Sequence, residues 1–292
     1  MTTTNNNVTR PPTWKVTVVA MVLLGIACAL LFVSWRTSRL TPLPNLEQAK
    51  LACASYTPSH DGHVLGVDET RRLVASDLKI LAARFQCVRT YSVSEGLDDV
   101  PKIARELGLK VMLGLWISSD AKSNDAEIAH GIALANEYAD VVTAVIVGNE
   151  VLLRRELLPE QLKSLMERVR AGTHVPVTYA DVWEFWLRNK SLADVASFVT
   201  IHILPYWEDQ PIGIDHALEH VQNIYAKVQN EFPGKVIFIG ETGWPSKGRP
   251  RMEATPSLLN EARFAREFVA YAEQNKVPYY FFEAFDQPWK RI

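Results

Sequence analysis

Short apolar runs alternate with amphipathic stretches along most of this chain, and this alternation restricts the fold more than any other feature. The runs are continuous rather than alternating in polarity, as in KVMLGLWI (Lys110 to Ile117) and KVIFIG (Lys235 to Gly240). Such strands are buried on both faces, which is typical of parallel sheets covered by helices. Regular strand–helix alternation predicts either a doubly wound sheet or a (β/α)8 barrel. The predicted strands are Leu51 to Tyr56, Gln86 to Tyr91, Lys110 to Ile117, Val142 to Gly148, Val177 to Ala180, Phe198 to Ile203, Lys235 to Gly240 and Tyr279 to Phe285.

The segment after the first predicted strand favours the barrel. A doubly wound nucleotide-binding domain carries G-x-G-x-x-G at that point, whereas this chain reads TPSHDGH. We therefore expect the α/β class, with a (β/α)8 TIM barrel over residues 49–292. The chain ends at Ile292, directly after the eighth predicted strand. The prediction is therefore a barrel that is truncated at its C-terminus and lacks the last helix.

An apolar segment precedes the barrel. Val16 to Trp35 contains no charged residue and is long enough to span ~30 Å of hydrocarbon as a helix. We expect an uncleaved transmembrane anchor there, after a disordered cytoplasmic segment at 1–15 and before a linker at 36–48. The barrel would then lie on the periplasmic or extracellular side. Secretion after signal cleavage is the alternative, although a signal peptide has an apolar region of only ~7–15 residues.

Charge and cysteine content exclude some classes of protein. Lys plus Arg number 31 and Asp plus Glu number 33, so the net charge gives no reason to expect a nucleic-acid partner. The three cysteines show no metal-ligand spacing. Cys53 and Cys87 lie in neighbouring predicted strands, and we expect two buried free thiols there; a disulfide is the less favoured reading.

Two predicted strands end on a glutamate, which is unusual because an unpaired buried charge is costly. These are Glu150, in VGNE, and Glu241, in GETGWPS. In a barrel the carboxyl ends of all strands meet at one rim, where active sites are built. Other polar or aromatic residues at the predicted strand ends are Arg89 to Tyr91, Trp116, Asn149, Tyr179 to Asp181, His202 to Trp207 and Glu283 to Asp286.

Two carboxylates across a barrel mouth suggest glycoside chemistry, in which one donates a proton and the other attacks or activates water. The alternative is a structural ion pair, for which Arg89 is the available partner. A metal site is less favoured, because the rim shows no carboxylate and histidine cluster at ligand spacing. We expect neither metal nor cofactor. Aromatic side chains near the strand ends favour sugar binding, although Trp116 could belong to the barrel core.

Four motifs resemble glycoside hydrolase family 17, the β-1,3-glucanases and β-1,3-glucanosyltransferases, and most of all its bacterial branch. They are VGNE, HILPYWE, GETGWPS and FFEAFDQPWK. The resemblance implies that Glu150 is the acid/base, that Glu241 is the nucleophile of a retaining enzyme, and that Asn149 binds the sugar 2-hydroxyl. The full set of expected substrate-binding residues is Asn149, Tyr91, Tyr206, Trp207, Trp244, Glu283, Asp286 and Lys290.

The expected activity is hydrolysis of β-1,3-glucan through a glucosyl-enzyme. The alternative is a β-1,3-glucanosyltransferase or β-1,6-branching enzyme in periplasmic or cell-surface glucan synthesis. A second alternative is a non-catalytic, membrane-anchored glucan-binding domain, which the intact Glu150 and Glu241 disfavour. A phosphate-binding barrel needs a glycine-rich anion site after the last strands, where GETGWPS instead supplies an acid. The expected partners are therefore a β-glucan chain and, through Val16 to Trp35, a membrane.

Overall fold

The computed structural model describes residues 13–37, 43–45, 50–58, 62 and 64–287, which form two units that divide between Leu43 and Pro44. The first unit contains one helix, α1 (Thr13–Thr37). In the described part of the chain, no helix combines the length and the apolar character that crossing a membrane requires. The predicted transmembrane anchor at Val16 to Trp35 is therefore not supported.

The second unit is a closed barrel of eight parallel strands in chain order, as the alternating pattern predicts. Each strand pairs with its sequence neighbours, and β1 pairs with β8 to close the barrel. All eight predicted strands are present. The strands are β1 (Leu51–Ser55), β2 (Phe85–Arg89), β3 (Lys110–Leu115), β4 (Val142–Asn149), β5 (Val177–Val182), β6 (Val199–His202), β7 (Ile237–Thr242) and β8 (Tyr279–Phe281).

Helices follow the first seven strands and cover the outer face of the barrel. They are α2 (Val67–Ala82), α3 (Val100–Leu107), α4 (Ala121–Glu137), α5 (Pro159–Gly172), α6 (Trp183–Arg188), α7 (Ile214–Glu231) and α8 (Leu258–Gln274). No helix follows β8 among the residues described, which reach Gln287. Lys290, one of the predicted substrate-binding residues, lies outside them.

Strand side chains divide between two apolar layers, which explains why the strands are apolar at nearly every position. Ile146 in β4 points into the barrel and packs with Met112, Ala180 and Tyr280. Its neighbour Val147 belongs to the larger cluster between the strands and the helices. Charged side chains of the strands are found where the strands reach the rim, as at Arg89 and Glu241.

Cys53 and Cys87 form a disulfide, so the expectation of two free thiols is wrong. The two residues lie opposite each other in the β1–β2 register, with their Cα atoms 4.6 Å apart. That separation lies within the range in which a disulfide can form. The prediction failed because it depended on the register of two strands that are separated by a whole helix.

Candidate active site

Glu150 and Glu241 meet at the mouth of the barrel. Glu241 lies in β7, Glu150 follows β4 directly, and His202 is the last residue of β6. A carboxylate oxygen of each glutamate and a ring nitrogen of His202 all lie within 4.8 Å of one another. Retaining glycosidases separate their two carboxyl groups by ~5–5.5 Å, whereas inverting enzymes need ~6.5–9.5 Å to admit water. The short separation is therefore that of a retaining pair.

Glu241 is held through one of its two oxygens. Its side chain is 5% exposed, and Oε1 accepts a hydrogen bond from Arg89 Nη1 at 3.1 Å and another from the Tyr91 hydroxyl at 2.8 Å. Burial and the charge of Glu241 raise the pKa of Tyr91 well above its usual value, so this phenol remains a donor. Both donors act on Oε1, which leaves Oε2 as the oxygen that can meet a substrate.

Arg89 connects the two strands that carry the carboxylates. It is fully buried at the end of β2. Nη1 also donates to the Gly240 carbonyl at 2.7 Å, and Nη2 donates to Asn149 Oδ1. The ion pair that the sequence suggested as an alternative to catalysis is therefore present, between Arg89 and Glu241. It holds Glu241 in place beside Glu150 and does not argue against a catalytic role. A planar guanidinium suits this position because it reaches several acceptors in fixed directions.

The backbone around Glu150 adopts an uncommon conformation. Gly148 has φ +87°, and an added Cβ there would lie 2.5 Å from Val151 Cγ2. Glu150 itself has φ +53°, which non-glycine residues seldom adopt. Its N–H donates to the Ala180 carbonyl at 2.8 Å, which ties the turn to β5. Such strained residues persist where the surroundings fix them, and they concentrate at functional sites.

His202 lies between the two carboxylates. Nδ1 is 2.8 Å from Glu150 Oε1, Nε2 is 3.6 Å from Glu241 Oε1, and the ring is fully buried. Burial raises the pKa of Glu150. The hydrogen bond and charge of His202 and the charges of Arg89 and Arg154 lower it, and together they outweigh the effect of burial. The net result is a pKa below the usual range. Glu150 is therefore stabilised in its ionised form in the resting enzyme.

A buried tyrosine and aspartate on β5 hold the turn that carries Glu150. The Tyr179 hydroxyl accepts from the Leu152 N–H at 3.0 Å and donates to Asp181 Oδ2. Asp181 also accepts from the N–H groups of Leu153, at 3.4 Å, and Val182, at 2.7 Å. Burial, which the Tyr179 hydrogen bond and the charge of His202 only partly offset, raises the pKa of Asp181 to about 6.

The Glu150–His202–Glu241 group also has the composition of a metal site, so the expectation that the rim lacks such a cluster is wrong. The surroundings disfavour a divalent cation. Arg89 Nη1 lies 3.1 Å from Glu241 Oε1 and 3.3 Å from His202 Nε2, and it places a permanent positive charge there. Like charges at that separation repel strongly in a buried site. The arrangement suits proton transfer and nucleophilic attack better than metal binding.

A cleft of about 1460 Å³ opens over this centre, larger than the ~300–1,000 Å³ of typical small-ligand pockets. Loops after β5, β6, β7 and β8 form it, with Glu150 and Glu241 at its floor. Its walls combine aromatic faces with carboxylates, a composition suited to the C–H faces and hydroxyls of sugars. Aromatic residues that line the cleft are Trp183, Phe185, Trp207, Trp244, Phe282 and Phe285.

Six of the eight predicted binding residues divide into two groups. Trp207, Trp244, Glu283 and Asp286 line the cleft, although Trp244 is only 2% exposed. Tyr91 and Asn149 act on the catalytic centre, since Tyr91 contacts Glu241 and Asn149 accepts from Arg89.

Tyr206 is the exception. It is fully buried behind the cleft wall, where its hydroxyl donates to the Arg249 carbonyl at 2.7 Å. Tyr206 therefore does not line the cleft, whereas Trp207, its neighbour in the same loop, does. Trp116 also differs from expectation: it is 43% exposed at the rim and does not belong to the barrel core.

The residues that sequence reasoning did not assign to the site are Arg89, Tyr179, Asp181 and His202. All four were visible as polar groups at strand ends. Arg89 and His202 have their partners on other strands, and the Tyr179–Asp181 pair acts on the turn after β4, so no local signal gave their roles. A buried arginine at a strand end was the strongest available hint, since such a charge needs a buried acid beside it.

Comparison with known proteins agrees with this geometry. The model of the BtgE/BtgC glycoside hydrolase domain matches residues 53–292. A glucan 1,3-beta-glucosidase of Schizosaccharomyces pombe is 29% identical over 236 residues, which cover 74% of this chain and 72% of the relative. The crystal structure of a glycoside hydrolase family 17 beta-1,3-glucanosyltransferase from Rhizomucor miehei superposes with a TM-score of 0.72 at 27% identity, and covers 82% of this chain and 88% of that one.

A second glucan 1,3-beta-glucosidase, from Arthroderma benhamiae, is 28% identical and covers 73% of each chain. These relatives are fungal, so the expected link to the bacterial branch is not confirmed. The family model spans well over half of the chain, and its range includes both glutamates and all of the barrel except the first two residues of β1. This chain therefore belongs to the BtgE/BtgC glycoside hydrolase domain family, and it is a glycoside hydrolase or transglycosylase.

Proposed function

We propose that this enzyme acts on β-1,3-glucan by retaining double displacement, with Glu241 as nucleophile, Glu150 as acid/base and water as the final acceptor. The observation that carries the proposal is the carboxylate pair, whose oxygens lie within 4.8 Å across the mouth of the barrel. The glucan preference rests on the relatives, which are named for activity on 1,3-β-glucan.

In the first step, Glu241 Oε2 attacks the anomeric carbon while the glycosidic C–O bond breaks. Arg89 and Tyr91 hold Oε1, so the free oxygen is aimed and the attacking carboxylate does not rotate. The leaving oxygen receives a proton from Glu150, which gives a free sugar hydroxyl and a glucosyl ester on Glu241. Pre-positioning of this kind supplies much of the rate enhancement of an enzyme.

Glu150 has to be neutral before it can donate this proton. In the resting enzyme burial raises its pKa, but the hydrogen bond and charge of His202, whose Nδ1 is 2.8 Å from Glu150 Oε1, bring the pKa below the usual range. Substrate that fills the cleft excludes water from Glu150, and desolvation favours its neutral form. The protonated carboxyl group of Glu150 then donates to the leaving oxygen.

In the second step, Glu150 takes a proton from water, and the resulting hydroxide equivalent attacks the anomeric carbon and releases Glu241. Esterified Glu241 carries no charge, so the neighbouring carboxylate is easier to ionise than before. Glu150 thus acts as the acid in the first step and as the base in the second. Two inversions at one carbon return the original anomeric configuration.

Transfer to a second glucan is the alternative outcome. The large cleft has aromatic faces on the loops after β5 and β6 as well as those after β7 and β8, and the Rhizomucor miehei relative is a glucanosyltransferase. An acceptor hydroxyl in place of water would give a longer chain, or a β-1,6 branch if the primary hydroxyl attacks.

We also assign the barrel to an oxidising compartment, on the periplasmic or extracellular side of a membrane. The Cys53–Cys87 disulfide supports this location, because such bonds are rare in reducing cytosol. An anchor at Val16 to Trp35 and secretion of the mature domain are the two forms this location can take. Fractionation of the expressed protein between membrane and medium distinguishes them.

The decisive experiment compares Glu241→Gln with Glu219→Gln on laminari-oligosaccharides. Glu219 is on α7 with a side chain 69% exposed, and it provides a matched loss of one carboxylate. We expect turnover to fall at least about 10³-fold in Glu241→Gln and to stay unchanged in the control. Wild-type turnover in Glu241→Gln, or binding without turnover in the native enzyme, would overturn the assignment. Mass spectrometry separates hydrolysis, which gives only shorter chains, from transfer, which gives longer ones.

A further inference from the structure

Glu127 is a buried carboxylate to which the catalytic cycle assigns no part. It lies on the second turn of α4 and is 5% exposed. Oε1 accepts hydrogen bonds from the backbone N–H groups of Val93 at 2.9 Å and Trp116 at 3.0 Å, and Oε2 accepts one from the Ser94 hydroxyl at 2.5 Å. A buried charge is costly unless it is hydrogen-bonded, and these donors meet that requirement. They belong to the loops after β2 and β3, so one carboxylate joins two loops of the rim.

Two glycines allow the close packing that brings Glu127 to these loops. An added Cβ at Gly131, one turn further along α4, would lie 2.2 Å from Leu115 Cδ2, so the helix packs against β3 more closely than a larger residue would permit. An added Cβ at Gly114 of β3 would lie 2.7 Å from the Cα atom of Tyr91. The backbone at Tyr91 therefore lies directly against β3, and α4 is close enough for Glu127 to reach the residues that follow.

The loop after β2 carries one of the two groups that hold the nucleophile. Tyr91 precedes Val93 by two residues, and its hydroxyl donates to Glu241 Oε1 at 2.8 Å. Val93 is fully buried, and its N–H is held by Glu127. Each residue contributes only two soft backbone torsions. Fixing the chain at Val93 therefore limits how far the Tyr91 ring can move.

A longer route leads from Glu127 towards the acid/base. The loop after β3 that it holds also accepts, at the Ile117 carbonyl, a hydrogen bond from Arg154 Nη2 at 2.7 Å. Arg154 Nε donates at 3.1 Å to the carbonyl of Asn149, which directly precedes Glu150. This route has more links than the route to the nucleophile, so the main effect of Glu127 is expected on the nucleophile.

We propose that Glu127 is a positioning residue for Glu241, on which it acts through Tyr91. The inference rests on the proposed function and adds a residue to its first step. Glu127 keeps the loop after β2 in place, so that the Tyr91 hydroxyl stays on Oε1 of Glu241 and Oε2 stays directed at the anomeric carbon. Glu127 itself does not line the cleft. Its loss should therefore lower kcat and leave KM nearly unchanged.

The test measures kcat and KM on laminarihexaose for wild type, Glu127→Ala and Glu127→Gln. Glu127→Ala is expected to lower kcat about tenfold and to keep KM within about twofold, since small misplacements of catalytic groups are costly. Glutamine keeps an oxygen for the two N–H groups, and its amide can donate to the Ser94 hydroxyl, so Glu127→Gln should recover most of the loss. Glu137→Ala, at the exposed C-terminal end of the same helix, is the matched control and should have wild-type kinetics. Thermal unfolding of each variant checks that the fold is intact.

A double-mutant cycle with Tyr91→Phe separates positioning from a general structural role. If Glu127 acts through the Tyr91 hydroxyl, Glu127→Ala should lower kcat by no more than about twofold in the Tyr91→Phe background. The full loss in both backgrounds, or wild-type kcat in Glu127→Ala, overturns the inference. If Glu127→Ala does not fold, Ser94→Ala takes its place, because it removes one donor and keeps the carboxylate. Its expected loss is about threefold in the wild-type background and absent in Tyr91→Phe.

The same measurements distinguish failure of this inference from failure of the proposed function. A wild type that turns over laminarihexaose, with Glu127→Ala equal to it, refutes the positioning role alone. A wild type that neither binds nor cleaves this glucan refutes both.

Discussion

The two carboxylates of this site occupy equivalent positions at strand ends, yet the protein holds them in different ways. Glu241 lies within β7, is 5% exposed, and accepts hydrogen bonds from a charged and a phenolic donor on one oxygen. Glu150 lies in a turn with φ +53°, is 22% exposed, and contacts the imidazole of His202. The first arrangement stabilises the negative charge of Glu241, whereas the second allows the carboxyl group of Glu150 to change its protonation state.

This difference matches the different demands of the two roles. A nucleophile needs one orientation and one ionisation state until it attacks. An acid/base has to change its ionisation state twice in each cycle, so its environment has to be adjustable. Support by a permanent cation suits the former, and a hydrogen bond to an imidazole, which lowers the pKa of Glu150, suits the latter. The comparison predicts distinct consequences when either support is removed.

The largest effect is expected from Arg89→Met, which leaves the buried Glu241 charge without its cation. Loss of one partner of a buried pair costs about 3–5 kcal/mol of unfolding free energy. Turnover should fall about 10²–10³-fold, because Oε1 loses its fixed donor. Urea unfolding and steady-state kinetics measure the two effects.

Arg71→Met is the control for this change. Arg71 pairs with Asp98 and Asp99, but its side chain is 43% exposed, and exposed pairs contribute at most about 1 kcal/mol. Equal destabilisation by both variants would show that Arg89 acts as an ordinary ion-pair partner and not as the support of the nucleophile.

An intermediate effect is expected from His202→Asn. The asparagine amide falls near the position of Nδ1, so the hydrogen bond to Glu150 can persist while the positive charge is lost. His202 lowers the pKa of Glu150, so its replacement raises that pKa, and Glu150 keeps its proton to higher pH. The alkaline limb of the pH profile of kcat/KM should therefore move upward, and kcat should fall about tenfold.

His216→Asn provides the comparison for the histidine change, since this side chain is 69% exposed on α7 and pairs with Glu219. The His216→Asn variant should have the same pH profile of kcat/KM as the wild type. A downward shift of the alkaline limb in His202→Asn would contradict the role of His202 as the group that lowers the pKa of Glu150.

The smallest effect is expected from Asp181→Asn, and it should have the opposite sign. Above about pH 6, Asp181 is ionised, and its charge opposes ionisation of Glu150. Removing this charge lowers the pKa of Glu150, so the alkaline limb should move downward. Turnover at the optimum should fall only about threefold to tenfold. The pH profiles of kcat/KM for His202→Asn and Asp181→Asn, measured together, show whether the alkaline limb moves upward in the first variant and downward in the second.

Stability gives a second measurement for Asp181→Asn. The pKa of Asp181 in the folded state is about 6, above the ~3.9 of an unfolded chain. The folded protein therefore binds more protons between these values, and its stability falls as the pH rises from about 4 through about 6. Asparagine does not titrate, so this fall should be smaller in the variant. If the unfolding free energies of wild type and Asp181→Asn depend on pH in the same way, Asp181 does not cause this loss of stability.

Sequence patterns predicted the barrel and both glutamates because that information is local. An apolar run that ends on Gly-Glu, as at Gly240 and Glu241, shows a strand, its end and a charge within a few residues. Position in a barrel then brings the strand ends together without further knowledge. Arg89 could be named as an ion-pair partner for one of the two glutamates for the same reason, since all three residues end predicted strands, but not as the partner of Glu241 in particular.

What the sequence did not predict depends on register or on side-chain direction. The Cys53–Cys87 disulfide requires that two strands pair at one level. The burial of Tyr206 beside the half-exposed Trp207 requires the direction of each side chain in a loop. His202 was visible at the end of β6, but its contacts with both carboxylates depend on distances across the mouth that no run of residues encodes.

The left-handed turn at Glu150 has a consequence for anyone who would build this site into another scaffold. Two glutamates placed at the ends of the fourth and seventh strands of a designed barrel would not reproduce it. The design would also need the glycine two positions earlier, the β5 carbonyl that receives the Glu150 N–H, and the Tyr179–Asp181 pair that holds the following amides. Catalytic groups work only when their supporting residues fix them closely. In this barrel the smallest transferable unit is the turn together with the neighbouring strand.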